Sequence, residues 1–494
     1  MTMDSFPSFI NENKKIALVD GDNSHSYSEI NLRINRFATG LLNGETDLEE
    51  ERIAFFIPAS LDYVTTMHGI WRAGGIAVPL NVASAITELD HYLTCASVTR
   101  MVANDEHQES LRELCDTLNI QLLSVEDILA DEASKLPGIL PERRAMILFT
   151  SGTTNKPKGV VSTHKTISAQ ITTLIKAWAW KEDDIIPLFL PLHHIHGIIN
   201  ILCCGLWVGA TVHMFAKFDI PRISNQVVDG TFNLFMAVPT IYVKLIQYFD
   251  TIEADHVQRI CGAFGKMRLN ISGSAACPVK LFNQWQELTG QILLERYGMT
   301  EIGMGISNPY DGERRAGCVG QPLPGVEAKL FDEEDQPINE EGIPGEIRVK
   351  GDNVFLEYWD NEQATKESFK DGWFCTGDVA VVEDGYYRIM GRSSVDIIKS
   401  GGYKLSALEI EGVLLTQEDI IEVAVIGVED DTWGEAVTAF IVVRDGSELN
   451  YDSLKSWCDG KMSSYKIPKS IKIVETLPKN AMGKVTKPAL KKML

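Results

Sequence analysis

Residues 145–161 read Ala145-Met146-Ile147-Leu148-Phe149-Thr150, then Ser151-Gly152-Thr153-Thr154-Asn155-Lys156-Pro157-Lys158-Gly159, then Val160-Val161. A buried apolar strand runs into a loop of hydroxyl, glycine and lysine residues, and a second apolar run follows. Such a loop offers free backbone N–H groups, hydroxyl donors and ammonium groups, the chemistry that holds a polyphosphate. An ordinary Ser/Thr/Gly surface turn has the same composition. The spacing is not that of the common P-loop, because no Gly-Lys-Ser/Thr occurs and Pro157 stands five residues after Gly152.

Four further segments carry residue types suited to chemistry. Ile271-Ser272-Gly273-Ser274-Ala275-Ala276 is a strand ending in small residues, which would let a flat ring lie against backbone; tight packing explains it equally well. Leu294-Glu295-Arg296-Tyr297-Gly298-Met299-Thr300-Glu301 offers an aromatic face, a hydroxyl and a carboxylate. A lone glutamate suffices for Mg²⁺, which binds through one or two carboxylates plus substrate phosphates. The plainer reading is a helix start with Thr300 and Glu301 in its first turn. Asp378, after Trp373-Phe374-Cys375-Thr376-Gly377, could accept both hydroxyls of a ribose, or simply make an Asx-type turn. Lys484, at the glycine turn of Pro478-Lys479-Asn480-Ala481-Met482-Gly483-Lys484, is either a catalytic cation on a mobile tail or a solvated base.

Strand-like and helix-like runs alternate around these segments. Residues 52–57 read as a buried strand, 61–73 as a helix closing on Gly74-Gly75, and 76–80 as the next strand. The rhythm recurs at 101–103, 121–125 and 234–238, and favours an α/β sheet protein. From about Gly317 the texture changes to short strands with Pro/Gly turns. Past Gly391, strand-like 421–427 and 436–443 and helix-like 408–415 and 451–462 make a separate C-terminal domain. The expected division is therefore residues 1–391 with a β-rich subdomain at about 318–391, a hinge at 392–396, and a lid at 397–494.

The chain of 494 residues exceeds one hydrophobic core. A net charge of −22 argues against nucleic acid or an anionic membrane as the partner. Nine scattered cysteines read as reduced thiols. Residues 1–20 carry neither a signal nor a transit pattern, and the apolar stretch 197–211 is too short for a comfortable membrane span. No transmembrane segment and a cytoplasmic location are expected. His193-His194-Ile195-His196 looks like a metal motif, but three ligands so close on one segment cannot easily converge.

Taken together and in this order, the five segments resemble the signature blocks of the adenylate-forming superfamily: acyl-CoA synthetases, firefly luciferase and peptide-synthetase adenylation domains. The resemblance spans about residues 15–494 and implies an acid–thiol ligase with ATP and CoA as co-substrates and Mg²⁺ as cofactor. A carboxylate would attack the α-phosphate, giving acyl-adenylate and pyrophosphate; the lid would then rotate and the CoA thiol would displace AMP. It implies that Thr150, Ser151, Gly152, Thr153, Thr154 and Lys158 hold the β- and γ-phosphates. Gly273, Ser274 and Ala275 would flank the adenine, with Tyr297 stacked on it and Gly298 beside it. Thr300 would touch the α-phosphate and Glu301 the metal. Asp378 and Arg392 would hold the ribose, Gly401, Gly402 and Tyr403 the CoA, and Lys484 would bridge carboxylate and α-phosphate. Asn155 stands where the family usually has glycine; asparagine best tolerates the left-handed backbone such a glycine would need.

The contexts of these blocks, including Ser400-Gly401-Gly402-Tyr403-Lys404-Leu405-Ser406, resemble the malonyl-CoA synthetases. That implies malonate, with methylmalonate as a second acid. The second carboxylate needs a cation, and arginine offers a bidentate fork. Arg296 is the first candidate, Arg268 and Lys244 the others, and the resemblance sets His194 at the acyl pocket. A general short- or medium-chain acyl-CoA synthetase, a carrier-loading adenylation domain and a non-catalytic adenylate-binding relative are the alternatives. Retention of Lys158, Glu301, Asp378 and Lys484 speaks against the last, and the end at Leu494 without a carrier domain suggests a free-standing ligase.

Overall fold

The structure is a computed structural model, and it describes residues 14–150, 157–400, 403–430, 432–479 and 485–494. The expected phosphate-loop residues Ser151, Gly152, Thr153 and Thr154, together with Asn155, Gly401, Gly402 and Lys484, lie outside the described residues.

The protein is α/β, with a large N-terminal domain and a small C-terminal one. Its central sheet has seven strands, in the order Glu357–Tyr358, Lys158–Thr163, Arg144–Thr150, Ile76–Pro79, Arg52–Phe56, Arg100–Ala103, Gln121–Leu123. The four strands from Ile76–Pro79 outward pair in parallel through βαβ crossovers such as helix Leu61–Arg72. Helices cover both faces of such a sheet, so its strands are continuous apolar runs; Ile76–Pro79 is buried at every position. Arg144–Thr150 then turns back antiparallel onto Lys158–Thr163, which sets Thr150 opposite Lys158 at the mouth of the hydroxyl-rich loop.

A second sheet orders Leu234–Ala237, Leu269–Ser272, Leu294–Met299, Gly303–Ser307 and Gln321–Pro322, parallel for the first three and antiparallel after. The apolar stretch near residue 200 is buried from His196 to Trp207, as wide π-type turns over His196–Cys203 and a short helix Cys204–Val208. The β-rich part is an antiparallel sheet centred on Gly345–Lys350 and Trp373–Glu383, with Tyr386–Arg392 beside the latter.

The C-terminal sheet pairs Ile420–Asp430 with Gly434–Val443, flanked by Ile397–Ser400, Tyr403–Ser406 and Ser470–Ile473. It has its own core, in which Ile410, Leu414, Val425 and Ile441 pack together.

Candidate active site

Thr300 and Glu301 occupy the turn of the β-hairpin formed by Leu294–Met299 and Gly303–Ser307, so the helix-start reading is corrected. The turn closes because two glycines meet: a β-carbon on Gly298 would lie 2.1 Å from the Gly303 carbonyl oxygen. Gly303 has φ +60°, a left-handed backbone that glycine adopts without strain. The turn carries Glu301 into the interior, where it is 5% exposed. Burial raises its carboxyl above the usual range, and the Tyr358 hydroxyl opposes that by donating to Oε1 at 3.0 Å. Among the described residues no cation lies within ion-pair distance of Glu301.

Tyr358 also meets Lys158, the first residue of strand Lys158–Thr163. Lys158 Nζ lies 4.9 Å from the centre of its ring. Burial keeps the phenol protonated. Tyr358 is absent from the sequence reading, since nothing local marks it.

Asp378 and Arg392 are cross-strand partners on Trp373–Glu383 and Tyr386–Arg392. Arg392 Nε lies 2.9 Å from Asp378 Oδ1, and the Tyr297 hydroxyl donates to Oδ2 at 2.5 Å. Burial pushes the Asp378 carboxyl up, and Arg392 acts against that. A carboxylate has about four acceptor sites, so these two contacts leave room for sugar hydroxyls. Tyr297, Asp378 and Arg392, which the sequence assigned to one nucleoside, are brought together from two different sheets.

Arg296 is the least ordinary side chain. It is 4% exposed and no carboxylate lies within ion-pair distance among the described residues. Its nearest polar contact is Ser274 Oγ, 3.4 Å from Nη2, and Ser274 Oγ in turn lies 3.1 Å from His196 Nδ1. Arg296 Nε and His196 Nε2 find no partner among the described residues. Burial alone pushes the guanidinium down to about 9, so it remains cationic at neutral pH. Burial, and after it the nearby Arg296, hold His196 well below its usual value and thus neutral. Ser274 has φ +67° and is exposed, as is Ala275, at the open edge of this cluster.

Two candidate cations do not join the cluster. Arg268 is committed to fully buried Asp184 through a bidentate pair of 2.6 and 2.5 Å, and donates to the Trp178 carbonyl at 3.0 Å. Its charge is already matched, which removes it as a ligand for a second carboxylate. Lys244 is exposed on helix Pro239–Phe249, whose buried face is made by Pro239, Tyr242, Leu245 and Phe249. Of the histidines, His194 is half-buried against His193, with ring centres 4.1 Å apart; His196 is the one that reaches Ser274. Among the described residues no group of His, Cys, Asp and Glu could hold a metal by itself. Tyr403 is exposed and stacks on Tyr465 at 4.4 Å.

Comparison with known proteins supplies the frame. Residues 10–359 match the AMP-binding enzyme family, and 409–484 its C-terminal domain. A malonate–CoA ligase of Bos taurus, described as mitochondrial, is 41% identical, covering 97% of this chain and 88% of that one. MatB of Rhodopseudomonas palustris, solved with ATP bound, superposes with a TM-score of 0.91 at 31% identity, covering 100% of this chain and 99% of that one. A malonyl-CoA ligase solved with methylmalonyl-CoA and AMP gives a TM-score of 0.70 at 31% identity, covering 95% and 97%. Among the described residues no helix is long and apolar enough to cross a membrane.

Proposed function

Because the chain belongs to the AMP-binding enzyme family, we propose that it joins malonate to CoA, with methylmalonate as a second acid, releasing AMP and pyrophosphate. It is an AMP-forming acid–thiol ligase. One carboxylate oxygen of malonate attacks the α-phosphorus of ATP and pyrophosphate leaves. The CoA thiol then attacks the acyl carbon, AMP leaves, and the thiol proton passes to solvent.

The observation that carries the choice of acid is the buried guanidinium of Arg296, with no carboxylate beside it. An unpaired buried charge is unfavourable by several kcal/mol, on the order of 3–5 when one partner of a buried pair is removed. The free carboxylate of a dicarboxylic acid would supply that partner; acetate or a fatty acid would not. Sites built this way reject the analogue lacking the polar group by roughly 10⁴. Neutral His196 and Ser274 are in place to take up the remaining acceptor oxygen.

The other roles follow from position. Thr150 and Lys158, at the two ends of the hydroxyl-rich loop, flank the β- and γ-phosphates. Tyr297 faces the adenine beside Gly273, and Asp378 with Arg392 takes the ribose hydroxyls. Thr300 donates to the α-phosphate. Glu301 fits a resident magnesium ion, being a buried carboxylate with one oxygen held and no cation of its own; Thr300 and the phosphates would complete the set. When bound, that ion neutralises phosphate charge as pyrophosphate departs. The hinge is taken at residues 392–396 and the lid beyond it, with Lys484 serving the first half-reaction. The cytosol is the compartment proposed, to be checked by fractionation; the cysteines of the described residues are free and mostly buried.

The test is AMP and thioester formation across a panel of malonate, methylmalonate, acetate, butyrate and octanoate. Malonate should lead by orders of magnitude in kcat/KM. Equal turnover of butyrate or octanoate would overturn the choice of acid.

A further inference from the structure

The phenol of Tyr358 stands between two opposite charges that the reaction needs kept apart. Its hydroxyl donates to Glu301 Oε1 at 3.0 Å, and its ring lies under Lys158 Nζ at 4.9 Å. Among the described residues neither Lys158 nor Glu301 is in an ion pair. Without the ring and its hydroxyl, the ammonium would lose its aromatic face and the carboxylate its hydrogen-bond donor.

The backbone around Tyr358 fixes this arrangement. Strand Glu357–Tyr358 pairs antiparallel with Lys158–Thr163, setting Tyr358 opposite Val160. Trp359 N donates to the Gly159 carbonyl at 2.7 Å and Leu356 N to that of Val161 at 2.9 Å. Phe355 N donates to the Glu301 carbonyl at 2.7 Å. Residues 355–359 therefore tie the strand after the phosphate loop to the hairpin turn bearing Glu301. Tyr358 is 8% exposed and packs against Phe355, with ring centres 4.8 Å apart, so the ring has little freedom to leave.

We propose that Tyr358 is a positioning residue for the magnesium complex of ATP: a neutral spacer that orients Glu301 by a hydrogen bond and Lys158 by its ring face while leaving both charges available. This rests on the functional reading above. A hydrogen bond to a charged acceptor accounts for roughly tenfold or more in an equilibrium, and an ammonium over a partly desolvated ring for several-fold.

The two contacts separate by mutation. Tyr358→Phe keeps the ring and removes the hydroxyl; Tyr358→Leu removes both. Binding of a non-hydrolysable ATP analogue is measured by calorimetry with and without magnesium, alongside the melting temperature of each variant. For Tyr358→Phe, magnesium-dependent binding should weaken by roughly tenfold while metal-free binding stays within about twofold. For Tyr358→Leu, metal-free binding should weaken as well, because Lys158 loses its rest. Wild-type magnesium dependence in Tyr358→Phe, or an equal loss with and without metal, overturns the role of Tyr358 alone. A wild-type protein that binds no ATP analogue with magnesium overturns the functional reading instead.

Discussion

Gly273 has no β-carbon because the guanidinium of Arg296 occupies that space. A methyl there would lie 2.4 Å from Arg296 Cζ and 2.6 Å from Nε. Gly273→Ala should leave the fold intact, since the group that must yield is the end of a flexible side chain, yet move the cation. A misplacement of about 1 Å in a positioned group can reduce rates by about 10²-fold. The expected outcome is a loss of about that size in malonate kcat/KM, with a melting temperature close to wild type. Arg296→Met should go further for malonate and leave butyrate turnover equal or improved. A wild-type ratio of malonate to butyrate in both variants would remove Arg296 from the acid site.

The two half-reactions give a separate check. Lys484→Ala should abolish adenylation, followed as malonate-dependent pyrophosphate release, because Lys484 is assigned to bridge carboxylate and α-phosphate. Thioester formation from supplied malonyl-adenylate should persist within a fewfold. Equal loss of both steps in a folded variant would show that the assignment to the first step is wrong.

The parallel strands were legible in the sequence because a strand covered on both faces must be apolar at every position, as Ile76–Pro79 is. Tyr297, Asp378 and Arg392 stood out in the sequence as motif residues, but their meeting in space did not. Asp378 and Tyr297 meet across 81 residues, and only the pairing of strands from two sheets brings them together. Arg268 was misjudged because the acid that claims it, Asp184, is 84 residues away. Tyr358 was missed for the same reason, 57 residues from Glu301 and on a two-residue strand with no periodic signal. Local patterns record backbone preference and burial; which charge meets which is decided by tertiary pairing.

Glu295 predicts a pH dependence of stability. It is buried on the strand next to Arg296, and burial pushes its carboxyl up to about 8, against hydrogen bonds from the backbone N–H of Gly317 and Cys277. A group whose value is raised on folding contributes stability that is complete below its unfolded value, 4.5, and is lost as the pH rises through about 8. Wild-type stability should therefore carry a falling component between those values, up to about 1.4 kcal/mol per pH unit. Glu295→Gln, which keeps the hydrogen-bond acceptor and cannot ionise, should flatten that component in melting temperatures taken every half unit. Parallel curves for the two proteins would place the Glu295 carboxyl in the ordinary range.

The small C-terminal domain, proposed above as the lid, is tied together by a buried cluster of charges. Lys487 Nζ lies 2.6 Å from Asp396 Oδ1 and 2.7 Å from a Glu411 oxygen, with all three side chains largely out of solvent. Burial pulls the ammonium down, but Glu411 and Asp396 together carry it above its usual value; burial raises Glu411 in turn. Asp396 also accepts from Arg392 N at 3.0 Å, and Glu411 from Val425 N at 2.7 Å. The cluster thereby joins the assigned hinge, helix Ala407–Leu414 and helix Lys487–Lys491. Lys487→Met leaves two buried carboxylates without their cation, which should destabilise the lid by about 3–5 kcal/mol. Hydrogen exchange should accelerate across Ile420–Asp430 and Gly434–Val443 while Arg52–Phe56 and Ile76–Pro79 stay protected. Adding Glu411→Gln removes one of the stranded charges, so the double variant should recover part of the loss. Uniform acceleration over both domains, or no recovery in the double variant, would show that the cluster does not hold the lid.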